Sequence, residues 1–384
     1  MKFISEKDVN GKTILLRADI NSEVIKKKVL MSDRIKATAE TIKSLKKRHA
    51  KIVVLAHQSR PRKSDFISLN QHAKLINKIT KIKFVDDIYG YKAKKEIQSL
   101  KNGEALLLEN VRFLKEEFMT GKTKFVDVLS SLCDVYVNDA LSVSHRAQAS
   151  VVSFPKYMES YAGPILEKEL NGLKKIKLKN CVYILGGAKP DDNIHLIGKN
   201  KILTCGLFGP MCLVASGIKL GAEENYLKKN IKNYNKILKN LKIKLKKYEK
   251  YVELPVDFAV DEKGKRINLE IKKFPNNFET YDIGSETIKK YIQEIKKAKS
   301  VYVKGPAGYY NKKNFLKGTS EILRAISESS AFSLLGGGDL DAAMKMSGIS
   351  SKKFGYVSLS GGALLQFIAG KKLPGLAALG FYKK

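Results

Sequence analysis

The sequence has no tryptophan, nine prolines and only four cysteines in 384 residues. The cysteines, at 133, 181, 205 and 212, lack the paired spacing of metal sites and the density of a disulfide-rich secreted domain. No apolar run approaches the ~20 residues that a transmembrane helix needs, and the first residues turn charged too early for a secretory signal. These absences disfavour fibrous, disulfide-stabilised and membrane-spanning classes, and we expect a cytoplasmic protein without a membrane partner.

Acidic residues are too few to balance the basic ones, since 38 Asp and Glu stand against 72 Lys and Arg, giving a formal net charge of +34. Such a surplus can indicate a nucleic-acid or anionic-membrane partner. The alternative is a general drift towards lysine, which fits the spread of lysines along the whole chain. We favour drift because no recognition motif accompanies the charge, and nucleic-acid binding stays open as the second interpretation.

Arginine is scarce: the chain has nine, and seven of them precede residue 150. Its planar guanidinium binds carboxylate and phosphate oxygens in a two-pronged geometry that lysine cannot reproduce. We therefore predict a surface for a small polyanion in the first half of the chain. Taken singly, each arginine could instead form a structural ion pair, and His57 could be a structural histidine. The candidate residues are Asp19, Asn21, Arg34, His57, Arg60, Arg112 and Arg146.

Short apolar runs alternate with amphipathic stretches in both halves of the chain. This alternation predicts an α/β fold of two Rossmann-like lobes, each a mainly parallel sheet with helices on both faces. The predicted strands of the first half are 13–17, 51–56, 104–108 and 135–138, with helices at 32–48, 70–79 and 122–132. Those of the second half are 180–185, 201–204, 300–304, 331–335 and 356–358.

The same pattern suggests the domain boundaries. We predict an N-terminal lobe over 1–156, a connecting helix over 157–174 and a C-terminal lobe over 175–360. The last segment, 361–384, is expected to return to the N-terminal lobe. A lysine-rich stretch at 226–251 has apolar residues at helical spacing, which predicts a solvated helix or helix pair.

Glycines follow the predicted strands of the second half, whereas arginine and histidine follow those of the first. Glycine at a strand-to-helix turn lets backbone N–H groups approach a phosphate, and the helix dipole favours the anion. Each turn alone could be a simple connection, but several at successive strand ends predict a phosphate site. Asp339, after the third turn, could meet phosphate-bound Mg²⁺ or cap a helix. Lys189, after the first turn, could face a transferring phosphoryl group.

The two commonest nucleotide motifs are missing. Gly-Lys-Thr occurs at 11–13 and 121–123 without the glycine that must precede it by five residues, and no GxGxxG joins a strand to a helix. A P-loop NTPase and a Rossmann dehydrogenase are therefore disfavoured.

Segments along nearly the whole chain resemble the phosphoglycerate kinase family. Arg17-Ala-Asp-Ile-Asn21 resembles R-x-D-(F/L)-N, Ala56-His-Gln-Ser-Arg-Pro61 resembles S-H-L-G-R-P, and Leu108-Glu-Asn-Val-Arg-Phe113 is similar to L-E-N-V-R-F. Lys189-Pro-Asp-Asp192 and the shortness of the chain look more like the archaeal branch. Further matches in order are 137–147, 162–170, 185–189, 254–257, 282–284, 336–339 and 361–375.

The resemblance implies a kinase of glycolysis and gluconeogenesis that reversibly transfers a phosphoryl group between Mg-ATP and the carboxylate of 3-phosphoglycerate, giving 1,3-bisphosphoglycerate and ADP. An ionised acceptor needs no general base, so catalysis would come from in-line positioning and charge stabilisation. The lobes would close around a hinge to exclude water, with Glu169 and residues 358–362 as hinge candidates. We expect a monomer.

The resemblance also assigns residues. Catalysis would fall to Arg34 and Lys189, and Mg²⁺ would be met by Asp339 through the nucleotide phosphates. The 3-phosphoglycerate site would comprise Asp19, Asn21, Arg34, His57, Gln58, Ser59, Arg60, Arg112 and Arg146. The nucleotide site would comprise Lys189, Asn193, Asn311, Gly336, Gly337, Gly338 and Asp339.

The substrate positions match the family motifs, whereas the nucleotide half departs from them. Asn193 stands where many members carry a lysine, Lys304 replaces an asparagine, and Asn311 replaces a glutamate expected to bind the ribose. Leu340 and Leu359-Ser360 replace a hydroxyl residue and Thr-Gly. The alternative hypothesis is therefore a catalytically weakened member that binds its ligand or nucleic acid.

Overall fold

The computed structural model describes residues 1–382. The chain divides into two compact units: the first contains Met1–Asn171 and the C-terminal segment from Gly362, and the second is Gly172–Gly361. In the described part of the chain, none of the helices is both long and apolar enough to cross a bilayer.

The first unit is built on a six-stranded sheet in the order β5-β6-β4-β1-β7-β8. All of its strand pairs are parallel. The elements in chain order are β1 (Thr13–Arg17), β2 (Val24–Ile25), β3 (Lys28–Val29), α1 (Asp33–Lys47), β4 (Lys51–Leu55), α2 (Asn70–Ile76), β5 (Lys83–Val85), α3 (Tyr91–Gln98), β6 (Ala105–Leu108), α4 (Lys124–Leu132), β7 (Val135–Asn138), α5 (Ala149–Val152), β8 (Glu159–Ala162) and α6 (Pro164–Lys175). The last residues of α6, from Gly172, belong to the second unit.

Local chemistry explains why the helices of this unit begin where they do. Ser32 accepts a hydrogen bond from the Ile35 N–H at the start of α1, and Thr123 accepts one from the Val126 N–H at the start of α4. Such side-chain acceptors satisfy N–H groups that have no partner within the helix. The central strands β4, β6 and β7 are buried almost throughout, as strands covered on both faces by helices are.

The helix predicted over 157–174 begins later, at Pro164. Residues Glu159–Ala162 instead form β8, which pairs in parallel with β7 and extends the sheet. Proline is well suited to the first position of a helix, because its fixed φ fits and its missing N–H would have no partner. The prediction also overlooked the short edge strand β5 and the helix α3.

The second unit has its own six-stranded parallel sheet, in the order β11-β10-β9-β15-β16-β17. The elements in chain order are β9 (Val182–Leu185), α7 (Pro190–Ile194), β10 (Ile202–Thr204), α8 (Phe208–Ala215), α9 (Ala222–Asn230), α10 (Tyr234–Tyr248), β11 (Val252–Glu253), β12 (Asp257–Glu262), β13 (Lys265–Glu270), β14 (Thr280–Ile283), α11 (Ser285–Lys297), β15 (Ser300–Lys304), α12 (Lys317–Glu328), β16 (Phe332–Gly336), α13 (Gly338–Met346) and β17 (Tyr356–Ser358).

The second unit also contains a three-stranded antiparallel sheet, β13-β12-β14, that the sequence analysis did not predict. A two-residue turn joins β12 to β13, and both Lys263 and Gly264 have positive φ, at 51° and 82°. Such turns match the twist of paired strands and favour glycine.

The lysine-rich stretch 226–251 forms the predicted helix pair, α9 and α10. The α/β class with two mainly parallel sheets is thus confirmed.

The last helices, α14 (Gly361–Ile368) and α15 (Pro374–Ala378), close the chain. Apart from Gly361 they belong to the first unit. The Gly375 N–H donates to the Ser144 carbonyl oxygen at 2.8 Å, and a Cβ on Gly375 would lie 2.8 Å from the Ser144 side chain. A glycine is therefore required for this close approach.

Candidate functional site

Polar loops leave the carboxyl ends of neighbouring parallel strands in the first unit, where ligands of such sheets bind. Asn21, after β1, accepts a hydrogen bond through Oδ1 from the Ser59 N–H, after β4, at 2.7 Å. Asp19 forms an ion pair with Arg34, with Oδ2 and Nη1 3.2 Å apart, and accepts a hydrogen bond from Ser142. The structure thus brings predicted residues from three separate segments into one constellation.

Three predicted arginines, Arg60, Arg112 and Arg146, line one cleft of about 400 Å³. Burial, followed by the neighbouring Arg17 and Arg146, lowers the pKa of Arg112 to about 9. Burial, followed by Arg60 and Arg17, also lowers the pKa of Arg146. Among the described residues, those lining this cleft include no acid. A small polyanion would relieve the mutual repulsion of these guanidinium groups.

His57 is buried, and its protonation can be deduced from its partner. Its Nδ1 lies 3.3 Å from Arg17 Nη2. Because arginine can only donate, Nδ1 must accept, which places the ring proton on Nε2. Burial, and then Arg17 and Arg112, keep the pKa of His57 well below 6.5. His57 is therefore a neutral imidazole that offers an Nε2–H donor.

Arg17 is a component of this site that the sequence analysis did not place there. The side chain is fully buried, and its Nε donates to Ser150 Oγ at 2.8 Å. Ser150 in turn donates through Oγ and N to the carboxylate of Glu117, at 2.8 and 2.9 Å. Glu117 thus compensates the buried guanidinium. The available signal was an arginine kept in a lysine-rich chain, at the start of the first motif.

The side chains of Gln58 and Ser59 are engaged inside the protein. Gln58 is fully buried, and its Oε1 accepts from the Ser22 N–H and from His72 Nε2, both at 3.0 Å. The Ser59 hydroxyl donates to Asp65, and the Ser59 carbonyl oxygen accepts from Arg112. These bonds suit residues that shape the loop better than side chains that contact a ligand.

Arg112 has bonding capacity left over. Its Nη1 donates to Ser59 and its Nη2 to Gln148 Oε1 at 3.3 Å. Its Nε is buried without a partner among the described residues. A buried donor left unpaired costs free energy, so an anion that reached this Nε would recover part of that cost. The Nδ1 of His145 also lacks a partner in the part of the chain that the structure describes, and burial lowers the pKa of His145 to about 4.

Glycine turns meet at the carboxyl edge of the parallel sheet in the second unit. A Cβ on Gly186 would lie 2.3 Å from the Pro306 carbonyl oxygen, and one on Gly206 would lie 2.4 Å from the Gly187 nitrogen. A Cβ on Gly305 would approach Gly187 to 2.8 Å. Only glycine permits this contact of backbones. Gly206, after β10, is a turn that the sequence analysis missed, because a lone glycine there gives a weak signal.

A cleft of about 520 Å³ opens beside these turns. Its lining includes Gly187, Asn311 and Asp339, three residues from separate predicted segments. Asp339 is exposed in the first turn of α13, which follows Gly336 and Gly337, and Gly337 has a φ of 122°. The amino end of a helix favours anions. The cleft therefore combines a helix amino end and glycine turns, which favour anions, with room for a larger group.

One wall of this cleft comes from the antiparallel sheet that was not predicted. Tyr281 of β14 lines it together with Tyr226, Tyr309 and Tyr310. The Tyr310 hydroxyl lies 3.5 Å from Asp339 Oδ1. Aromatic faces provide apolar contact area at low conformational cost. The tyrosines carried no recognisable spacing in the sequence, because they come from three separate segments: 226, 281 and 309–310.

Lys189 and Asn193 lie on either end of α7 but in different surroundings. Lys189 precedes the helix and is exposed. Asn193 is fully buried; its Nδ2 donates to the Gly186 carbonyl oxygen at 3.1 Å, and its Oδ1 accepts from Lys304 Nζ at 2.8 Å. Asn193 therefore supports the glycine turn at Gly186 through a hydrogen bond from inside the protein. Leu340, the other departure from the family motif in this region, lies in the hydrophobic core of the second unit.

An arginine-lined cleft in one α/β unit and glycine turns beside a cleft in the other are typical of an enzyme that transfers phosphoryl groups. The model of the phosphoglycerate kinase family matches residues 4–371. The chain belongs to the phosphoglycerate kinase family. The sequence analysis predicted this family, the fold and the kinase activity, and all three predictions are confirmed.

Individual relatives agree with this assignment. The chain is 41% identical over 393 residues to the phosphoglycerate kinase of Methanothermus fervidus, covering 97% of this chain and 95% of the relative. It is 39% identical over 397 residues to that of Methanococcus maripaludis, covering 96% and 95%. The crystal structure of the Pyrococcus horikoshii OT3 phosphoglycerate kinase superposes with a TM-score of 0.90 at 33% identity, covering 99% and 98% of the two chains. The resemblance to the archaeal branch is thereby supported.

Proposed function

We propose that the chain transfers a phosphoryl group reversibly between Mg-ATP, bound by the second unit, and the carboxylate of 3-phosphoglycerate, bound by the first. The observation that carries this proposal is the cleft lined by Arg60, Arg112 and Arg146. Its repelling guanidinium groups match a ligand that bears both a phosphate and a carboxylate. Family membership supports the same pair of ligands.

On the substrate side, we assign the three cleft arginines to the anionic groups of 3-phosphoglycerate. The neutral His57 would donate its Nε2–H to a ligand oxygen, oriented by Arg17. Arg34, paired with Asp19, would stabilise charge on the transferring phosphoryl group. Asn21 would order the loop through its bond to the Ser59 N–H.

On the nucleotide side, we assign the glycine turns and the amino end of α13 to the phosphates. Asn311 and Asp339 line the same cleft, and Asn311 can hydrogen-bond a ribose hydroxyl through its amide. Gly336 is buried at the end of β16 and would place the turn rather than touch a ligand.

Magnesium would be carried to the site by the nucleotide. Mg²⁺ keeps several waters and commonly binds one or two carboxylates together with substrate phosphates. Asp339, exposed beside the cleft, supplies one such carboxylate. Within the described residues there is no cluster of three or more His, Cys, Asp or Glu that could hold a metal, which fits this shared arrangement. The ion would neutralise charge on the phosphates.

For this reaction the protein has to position the two ligands and to stabilise charge on the phosphoryl group. The acceptor carboxylate is ionised at neutral pH, so it attacks the phosphorus without a base, and the bond to the ADP oxygen breaks. Lys189 and Arg34 would stabilise the charge on the phosphoryl oxygens. Direct transfer requires the two ligands to meet away from water, since water would hydrolyse the acyl phosphate.

The proposal also extends to the oligomeric state and the cellular location of the protein. We propose that the protein acts as a monomer. All four cysteines are free and buried, which is typical of a reducing compartment, and we propose that the protein acts in the cytoplasm.

A coupled assay of 1,3-bisphosphoglycerate formation from 3-phosphoglycerate and Mg-ATP tests the proposal. We expect Lys189→Ala to lower kcat by at least about 100-fold, the loss typical of removing one group that stabilises charge in the transition state. Lys229→Ala, an exposed lysine of α9, is the matched control and should retain full activity. A wild-type rate no higher than that of Lys189→Ala would contradict the proposal. Salt-sensitive nucleic-acid binding without activity would favour the weakened binding protein instead.

A further inference from the structure

A lysine side chain is largely buried next to the first glycine turn of the second unit. Lys304 is the last residue of β15, and its side chain is only 16% exposed. In register it lies between Leu185 of β9 and Gly336 of β16. Both neighbouring strands lead directly into the glycine turns assigned to phosphate. The ammonium group therefore stands behind the phosphate-binding edge of the sheet.

The partners of Lys304 all belong to the segment that follows β9. Its Nζ donates to Asn193 Oδ1 at 2.8 Å and lies 3.5 Å from Asp192 Oδ2. It also reaches the Lys189 carbonyl oxygen at 3.5 Å. Asn193 extends the network, because its Nδ2 donates to the Gly186 carbonyl oxygen at 3.1 Å. Lys304 and Asn193 thus hold both ends of the Gly186–Lys189 turn.

This arrangement costs free energy, so it needs a reason. Burial lowers the pKa of Lys304, Asp192 opposes that shift, and the nearby Lys189 adds to it. A positive charge is thus held largely buried next to the backbone of Lys189, the residue proposed to stabilise the transferring phosphoryl group. An ordinary structural lysine is available for comparison: Lys201, just before β10, is one-third exposed and pairs directly with Glu253 at 2.7 Å.

We infer that Lys304 and Asn193 form a clamp that fixes the Gly186–Lys189 turn and thereby aims Lys189 at the transferring phosphoryl group. Lys304 is a positioning residue, because its contacts reach protein groups and its effect passes through Lys189. This inference rests on the proposed function and assigns it a residue pair. It also accounts for the occurrence of Asn193 and Lys304 together, since each side chain completes the bonding of the other.

A double-mutant cycle with Lys189 separates positioning from general stabilisation. Lys304→Met should lower kcat by about 10- to 100-fold, the loss expected when a catalytic group is displaced by ~1 Å. The KM for 3-phosphoglycerate should stay within about twofold. In a Lys189→Ala background the same change should lower kcat by less than about twofold, because the group being aimed is already gone.

Two further variants sharpen the test. Asn193→Asp keeps an acceptor for Lys304 but removes the donor to Gly186, and it should lower kcat as Lys304→Met does. Lys201→Met is the matched control and should leave kcat unchanged. Thermal melting and calorimetric titration of ADP accompany each variant, so that loss of folding or of nucleotide affinity is recognised. If Lys304→Met fails to fold, Asn193→Asp carries the test, since it is nearly isosteric.

Several outcomes would overturn the inference. An equal loss of kcat with and without Lys189 would mean that Lys304 acts independently of it. A tenfold weaker ADP affinity with unchanged kcat would make Lys304 a nucleotide ligand instead. If the wild type is active but Lys189→Ala is equally active, the proposed role of Lys189 fails. If the wild type itself lacks kinase activity, the proposed function fails first. The four results are distinguishable.

Discussion

Arg112 illustrates how much a single residue of the proposed substrate site depends on the shape of its side chain. Its guanidinium donates to Ser59 and Gln148, and its buried Nε has no partner within residues 1–382. Arg112→Lys would preserve the charge but lose the planar fork. We expect the KM for 3-phosphoglycerate to rise roughly tenfold, equivalent to losing one charge-assisted hydrogen bond of ~1.5 kcal/mol, with the KM for ATP unchanged. Steady-state kinetics with each substrate varied separately measures both values.

The control for this change is Arg324→Lys. Arg324 is exposed on α12 and pairs with Glu321 at 2.9 Å, so its replacement should leave both KM values unaltered. An unchanged KM for 3-phosphoglycerate in Arg112→Lys would remove Arg112 from the substrate site. A rise in both KM values would point to a general loss of structure, which a lowered melting temperature would reveal.

Single residues also show where sequence reasoning reached its limit. Arg60, Arg112 and Arg146 were recognisable because arginine is rare in this chain and each follows a strand motif. The hydrogen bond between Lys304 and Asn193 could not be predicted from the sequence, because the two residues are 111 positions apart. They meet because β15, which ends at Lys304, pairs with β9, the strand that precedes Asn193. Local patterns report on residue type and spacing, whereas such pairs depend on tertiary contact.

At the scale of elements, α9 carries an unusual buried acid. Glu223 accepts a hydrogen bond from the Thr280 N–H of β14 at 2.7 Å, but its Oε1 has no partner among the described residues. Burial raises its pKa from 4.5 to about 7. The folded protein therefore binds this proton more tightly than the unfolded chain. The ionised carboxylate destabilises the fold above pH 7, and that penalty fades as the pH falls towards 4.5.

Glu223→Gln should consequently stabilise the second unit at alkaline pH. We expect the free energy of unfolding to rise by about 1–3 kcal/mol at pH 8 and by much less at pH 5. Urea unfolding followed by far-UV circular dichroism at both values measures the difference. Glu224→Gln, which removes the ion pair with Lys228, is the control and should show neither gain. A gain of equal size at both values would exclude ionisation of Glu223 as its cause.

The elements divide clearly into those that the sequence predicted and those that it did not. The central strands β1, β7 and β15 were predicted at their observed bounds, because buried parallel strands are short apolar runs followed by polar turns. The antiparallel strands β12 and β13 escaped notice, because both carry charged residues and β13 is largely exposed. The wall of the proposed nucleotide cleft that contains Tyr281 of β14 belongs to the same sheet and was therefore missed with it.

At the scale of the whole molecule, we expect the formal net charge of +34 to attract the anionic substrates over long range. Both proposed substrates are polyanions, and a basic surface raises their local concentration. Salt screens this attraction over a Debye length of ~8–10 Å at physiological ionic strength. The charge can therefore contribute to substrate capture without any nucleic-acid partner, which agrees with the general spread of lysine.

We expect kcat/KM for 3-phosphoglycerate to fall several-fold between about 20 and 200 mM sodium chloride, while kcat changes little, because screening acts on encounter and binding rather than on the bound complex. Initial rates at fixed free Mg²⁺ across this range provide the measurement. Sodium acetate at equal ionic strength is the control, since a screening effect depends on ionic strength and a competing chloride would not be matched by acetate. A kcat/KM that does not depend on salt would show that the positive charge has no part in substrate capture. A general drift towards lysine would then be the favoured explanation of the charge.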